Sequence, residues 1–225
     1  QELSNYLGIE NIKKIEGYDV SHFSGDNAVA SCVVFSSQGP EKKNYRLFNI
    51  PRDLSGNDIG SLEHVMQRRI KYYADSELKP DVILIDGGKN QLNFVKSIIN
   101  KSDHNDIKVI SIVKGSKRVR ATETIISEDG IIELDKYSKA FLILQEIRDE
   151  SHRFAIRAQR NKKRKKISQS ELDSIKGIGE VLKKRLLTKF KSIKNIKSAD
   201  LKELMTVEGI NEKIAKEILD KFKND

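Results

Sequence analysis

The sequence predicts an α/β fold, a mixed sheet of five or more strands with flanking helices, followed by a small all-α domain. Three observations carry this. Residues 13–50 alternate as short β-rich segments separated by turn residues, and residues 81–86 and 108–114 are continuous apolar runs set between amphipathic stretches. The last third of the chain repeats itself at an offset of 32 residues.

The first strand is KIEGYDVSH (14–22), and Ser24-Gly25-Asp26-Asn27 is a turn signal after it. AVASCVVFSS (28–37) is rich in small and β-branched residues and forms the second strand, which Gln38-Gly39-Pro40 breaks. NYRLFNI (44–50) is the third, with Tyr45, Leu47, Phe48 and Ile50 as its apolar positions. An antiparallel meander is the simplest arrangement of these three. Residues 57–74 place Ile59, Leu62, Val65, Met66 and Ile70 on one helical face. DVILID (81–86), closed by Gly87-Gly88, has the pattern of a buried parallel strand that leads into a helix over 91–100. KVISIVK (108–114) is a second such strand. ETIIS and GIIEL (123–134) read as a hairpin, and 138–160 as one long helix. A right-handed crossover lets the strand at 81–86 lie beside the first and parallel to it. That order brings Asp19 near Asp86 at the strand ends, where open α/β sheets bind ligands.

The tail pairs LDSIKGIGEVLKKRLLTKF (172–190) with ELMTVEGINEKIAKEILDKF (203–222). Gly177 matches Gly209, Leu182 matches Ile214, and Phe190 matches Phe222. Each copy reads as helix, glycine turn and helix. Backbone N–H groups at such a turn are natural phosphate ligands, and Lys183 and Lys184 follow in the first copy. Asn211 stands in the second copy where the first has Gly179; asparagine tolerates a left-handed conformation.

The chain holds 225 residues with a formal net charge of +9. Residues 1–152 carry 21 basic and 23 acidic side chains, whereas 153–166 carry eight basic and none acidic. Such concentration is the footprint expected for a polyphosphate partner. Arg160, Lys162 and Lys163 lie in it, within a basic linker expected over 157–169 between domains at 1–156 and 170–225. The single cysteine, Cys32, rules out an internal disulfide and suits a reducing cytoplasm. No apolar run approaches the ~20 residues of a membrane-spanning helix, so no membrane partner is expected. The chain opens on Gln1 rather than Met, and is expected to be part of a longer protein.

Two carboxylates facing one cleft make an oxygen-rich site for Mg²⁺ or Mn²⁺. Such an ion can polarise a phosphodiester and activate water. A third ligand has to come from elsewhere, and the long helix offers Asp149, Glu150 and His152. His22, Lys89, Gln91, Arg148 and Glu150 are secondary candidates. For Lys89 and Arg148 the role is phosphate contact, and for Glu150 a local ion pair competes with metal binding. Gly87 and Gly88 are expected to keep side chains clear of substrate.

Four blocks, GYDVSH (17–22), VASCVVF (29–35), ILIDGGKNQLN (83–93) and IRDESHRFA (147–155), followed by the paired hairpins, closely resemble the C-terminal half of the UvrC family. That family supplies the nuclease subunit of bacterial nucleotide excision repair. The resemblance implies an RNase H-like fold and tandem helix-hairpin-helix motifs. It implies a metal-dependent cut 5′ to a lesion in damaged double-stranded DNA, and the catalytic Asp, Asp and His fall on Asp19, Asp86 and His152. It places Gly177, Gly179, Lys183, Lys184, Gly209, Asn211, Arg160, Lys162 and Lys163 against the DNA backbone. It implies UvrB as a partner, contacted through an N-terminal part that these residues lack, within the wider UvrABC system. The family's His-Arg pair after the fourth block is replaced here by Gln159-Arg160, which touches a secondary DNA contact. Two other readings are a non-catalytic DNA-binding module and a different RNase H-like nuclease such as a junction resolvase.

Overall fold

The computed structural model describes residues 1–21, 28–114, 123–175 and 177–223, which form two compact units, 1–159 and 160–225. The turn expected at Ser24–Asn27 lies outside the described residues.

The first unit is built on one eight-stranded sheet: β1 (Lys14–Ser21), β2 (Val29–Ser36), β3 (Gly39–Pro40), β4 (Arg46–Asn49), β5 (Val82–Asp86), β6 (Lys108–Lys114), β7 (Glu123–Ser127) and β8 (Gly130–Ile132). The strand order is β3-β2-β1-β5-β6-β7-β8, with β4 also paired to β2. The antiparallel meander is present: β1 pairs β2, and β2 pairs β4. β5 lies beside β1 and parallel to it, as expected, and β6 lies parallel to β5. The residues at 38–40 do not simply end β2, because Ser36 pairs with Gly39 and the chain folds back on itself. β7 and β8 close the other edge as an antiparallel hairpin.

Central strands are buried on both faces, which explains their unbroken apolar runs. Val82, Ile83, Leu84 and Ile85 are all sealed, as are Val109, Ile110 and Ile112. α2 (Asp58–Arg69) and α3 (Lys89–Asn100) belong to this unit, preceded by α1 (Glu2–Leu7). α1 was not anticipated; six residues are too few for a periodic signal, and Gly8 ends it at φ 62°. α2 begins where Asn57 caps the Gly60 amide, and stops at Arg69 before a 3₁₀ turn at Ile70–Tyr72. It is therefore shorter than the helix expected over 57–74, and Ile59 is exposed rather than on its packed face.

α4 (Lys139–Asp173) is the largest departure from expectation. The stretch 157–169, expected as a linker, is helical throughout. No glycine or proline interrupts 139–173, and lysine, arginine, glutamine and alanine all favour helix. Hydrophobic patterning lapses after Ala158, but propensity does not.

The second unit contains α5 (Glu180–Phe190), α6 (Ile193–Ser198), α7 (Leu201–Met205) and α8 (Glu212–Lys223). The first copy of the repeat uses the end of α4 as its leading helix, and the second uses α7. α6, between the copies, was not expected. A separate apolar core, including Leu172, Ile178, Leu186, Ile196, Leu204, Ala215 and Ile218, holds this unit together. Among the described residues no helix is long and apolar enough to cross a membrane.

Candidate active site

Parallel pairing of β1 with β5 aligns Gly17 with Leu84 and Tyr18 with Ile85. The next residue along each strand is Asp19 and Asp86. Aligned residues in neighbouring strands share a face, so both carboxylates emerge side by side at the C-terminal end of the parallel pair. Asp19 is only 7% exposed, and Asp86 is partly exposed.

α4 lies on that face. Gly17 makes the close approach possible: a Cβ there would sit 2.3 Å from Ile147 Cγ2 and 3.2 Å from Val33 Cγ2. One turn later the Ser31 hydroxyl on β2 donates to the Ser151 carbonyl at 2.8 Å. His152 follows, and its Nδ1 stands 3.2 Å from Asp19 Oδ2. The Ser21 hydroxyl donates to the same oxygen at 2.6 Å. Gln159 donates to the Ser21 carbonyl at 3.2 Å, so this residue ties α4 to the end of β1. An ionised carboxylate only accepts, so the neutral tautomer that fits this contact carries its proton on Nδ1 and leaves Nε2 as acceptor. The ring is 57% exposed.

The Asp86 end is fixed by its loop. The Gly87 amide donates to the Ile112 carbonyl, and the Ser111 hydroxyl donates to the carbonyls of Ile85 and Gly87. Gln91 reaches back to accept from the Gly88 amide at 2.7 Å and donates to Asp58 at 2.9 Å. A Cβ on Gly87 would fall 1.8 Å from Gln91 Oε1, forcing this side chain out of both bonds. The bare Cα of Gly87 thus makes room for Gln91. Gln91 itself organises the loop.

The opposite face of β1 is different in kind. Glu16 is fully buried and accepts from Arg69 Nε at 3.0 Å and Nη2 at 2.5 Å on one oxygen. Its other oxygen accepts from the Tyr18 and Tyr73 hydroxyls, each at 2.6 Å. Burial, with Glu16 nearby, pushes the Tyr73 hydroxyl and the neighbouring Cys32 thiol well above their ordinary pKa values. Burial likewise raises Tyr18.

Of the three helix residues offered as a third ligand, only His152 is bonded to Asp19. Asp149 accepts from Arg148, and Glu150 pairs with Arg153 at 3.0 Å. Arg148 is mostly buried and also pairs with Glu123 on β7; it is not a free phosphate ligand. Lys89 is exposed in the first turn of α3, and His22 lies outside the described residues. Among the described residues no three His, Cys, Asp or Glu side chains converge as a closed metal cluster. Asp19 and Asp86 alone fit the way Mg²⁺ is usually held, by one or two carboxylates, waters and substrate phosphate. Ser21, Gly17, Ser31, Glu123 and Gln159 were missed as supporting residues. The signal at Gly17 was a glycine inside a strand pattern, which marks close backbone approach.

In the helical unit Gly177 and Gly209 have φ of 89° and 91°, a left-handed conformation that glycine adopts without strain. The two copies pack reciprocally. Ile214 lies 3.5 Å from the Cβ position of Gly177, and its counterpart Leu182 lies 2.7 Å from that of Gly209. Their turns differ at the following helix. Gly179 precedes α5 without a side-chain cap, whereas Asn211 accepts from the Ile214 amide at 3.0 Å. The second copy therefore uses one of its own N-terminal amides. Lys183 corrects its expected role. It is 6% exposed, at the position that Ala215 fills in the other copy, and its ammonium is bound by Asp173 and Glu180. Lys184, Arg160 and Lys163 are exposed, and Lys162 is half-buried.

Residues 4–156 match the family described as UvrC RNAse H endonuclease domain, and residues 170–224 match the SAM-like helix-hairpin-helix tandem. The UvrABC system protein C of Legionella pneumophila (strain Paris) is 40% identical over 204 residues, 89% of this chain and 33% of that protein. The Haemophilus influenzae (Rd) protein of the same name is 38% identical over 207 residues, 89% of this chain and 34% of the relative. The chain thus spans about a third of the length of the curated relatives it matches. Among solved structures, human endonuclease V shows 20% identity over 49% of each chain, with a TM-score of 0.35.

Proposed function

The chain belongs to the UvrC RNase H endonuclease domain family, and from that premise we propose that it is a metal-dependent DNA endonuclease making the 5′ incision of nucleotide excision repair. The observation that carries this reading is the register of β1 and β5, which sets Asp19 beside Asp86, with His152 bonded to Asp19.

Asp19 and Asp86 would hold Mg²⁺ or Mn²⁺. When bound, such an ion polarises the scissile phosphate and lowers the pKa of a coordinated water. Asp19 has a double task. Among the described residues its hydrogen bonds from Ser21 and His152 both fall on Oδ2, which leaves Oδ1 for the cation. Through Oδ2 it holds the His152 ring so that Nε2 points away from the bond. Nε2 would then take a proton from water as the water oxygen attacks phosphorus; the P–O bond to the leaving oxygen breaks, and that oxygen takes a proton from solvent. The products are a phosphate monoester on one side and a hydroxyl on the other. Ser21 keeps Asp19 in place, and Gln159 keeps the strand end against α4.

The hairpin unit would hold the duplex through backbone phosphates, independently of sequence. The uncapped turn at Gly177–Gly179, with Lys184, is the stronger grip in this proposal. The self-capped turn at Gly209–Asn211 is the weaker. Damage recognition would come from UvrB and the UvrABC system, in the cytoplasm.

Asp19→Asn tests the proposal. The metal term is worth several kcal/mol in such sites, so nicking of adduct-bearing duplex by the reconstituted system should fall about 10³-fold, with DNA binding kept. Nicking that persists unchanged in the variant sinks the assignment.

A further inference from the structure

Arg148 and Glu123 were separated by 25 positions in the chain and had no assigned partnership. They form an ion pair, with Arg148 Nη1 on Glu123 Oε1, while Gln145 donates to the other Glu123 oxygen at 2.7 Å. Both members are largely buried, with side chains 14% and 12% exposed. Glu123 is the first residue of β7. It pairs across with Lys114, two residues beyond Ile112, which in turn faces Asp86. Side chains alternate along strands, so Glu123 lies on the same face as Asp86.

Among the described residues, three further contacts of α4 near the site go to strands on the far side of Asp86. Ile147 rests on Gly17 and His152 on Asp19, both in β1, and Ser151 accepts from Ser31 in β2. In the sheet order β2-β1-β5-β6-β7, these anchors lie to one side of β5, and Glu123 lies to the other. An ion pair on the opposite side resists roll of the helix about its axis. A side-chain tip about 5–6 Å from the axis moves about 1 Å for a roll of roughly 10°. Misplacement of about 1 Å can lower a rate about 10²-fold. His152 is one turn beyond Arg148, half-exposed, and among the described residues held by one hydrogen bond at 3.2 Å.

We propose that the Glu123–Arg148 pair, braced by Gln145, is a positioning clamp that sets the roll of α4 and so the placement of His152 over Asp19. Arg148 acts through the helix and does not touch DNA. The clamp deepens the nuclease reading above and rests on it.

The test uses Glu123→Ala, Arg148→Ala and the double variant, with Asp19→Asn run in parallel. The clamp requires turnover to fall about 10²-fold in each single variant, with the double variant no worse than either. KM for duplex and its salt dependence should stay as in the parent. The ¹⁵N shift of His152 Nδ1 in metal-free protein should move in all three, reporting the loosened bond to Asp19. Glu123→Asp, which keeps the charge but shortens the reach, should lower turnover with thermal stability intact. That variant decides the matter should the alanine forms fail to fold. Additive losses in the double variant, an unmoved His152 shift, or a raised KM confined to Arg148→Ala would each overturn the clamp, the last making Arg148 a phosphate contact. Loss of turnover in the clamp variants alone, with Asp19→Asn fully active, would instead overturn the nuclease reading, while the His152 shift still judges the clamp.

Discussion

β1 carries two carboxylates three residues apart on opposite faces of one sheet, and they have opposite fates. Glu16 has both oxygens filled by Arg69, Tyr18 and Tyr73 and is fully buried. Asp19 shares one oxygen between Ser21 and His152, and that histidine is open to solvent. Burying an ion is costly unless every lone pair is matched. A carboxylate so completely matched has nothing left for a ligand. A carboxylate matched on one oxygen only can be held rigid and still bind. The difference between structural and functional acids lies in how many of their lone pairs the fold has already used.

The largest effect expected from this contrast is a crossing of phenotypes. Arg69→Met leaves Glu16 buried without its counter-charge and should cost about 3–5 kcal/mol of stability, measured by urea unfolding, with nicking per folded molecule unchanged. Asp19→Asn should do the reverse. A stable Arg69→Met protein, or an Asp19→Asn protein that unfolds as easily, would erase the distinction between the faces.

A smaller effect sharpens it. Gly17→Ala puts a methyl group against Ile147 on the functional face, 2.3 Å from Cγ2. Overpacking of this kind costs about 1–3 kcal/mol. Because α4 must lift from β1, turnover should drop further than the stability loss explains. Turnover that falls only in step with the folded fraction would show that the helix accommodates the methyl without moving His152.

The last effect concerns the sealed face in alkali. Burial raises the folded pKa of Cys32, while the unfolded thiol ionises near its ordinary value of about 8.5. The neutral thiol is the form the fold favours. Its contribution is fully present below about pH 8.5 and is lost as pH rises above it, at about 1.4 kcal/mol per pH unit. Tyr18 and Tyr73 add losses of the same sign above about pH 10. Urea midpoints across pH 8 to 11 should fall on this schedule, and Cys32→Ala should remove the earliest part of the decline. A flat profile would mean that water reaches this face.

The two hairpin turns repeat the lesson in backbone. Gly177 and Gly209 share one conformation, yet Asn211 fills its own helix start where Gly179 leaves the amides uncapped.

Much of this was legible in local pattern. Alternation and apolar runs located every strand but the two-residue β3, because burial on one or both faces imposes a period that nearby residues reveal. The repeat at an offset of 32 located both hairpins and their glycines. Asp19, Asp86 and His152 stood out through the blocks around them. Pairings over long separations were not legible. Nothing near Arg148 names Glu123, and nothing near Gln91 names Asp58, 33 residues before it. Lys183 looked like a phosphate ligand because it follows a glycine turn, but its position in the helical core gives its ammonium to Asp173 and Glu180. The chain's own order of residues determined the elements, the repeat and the acids worth asking about. Only the tertiary structure decided which acid is sealed and which is left open, because that depends on donors brought from distant elements. Arg69 and Tyr73 come to Glu16 from 53 and 57 residues away, and His152 comes to Asp19 from 133.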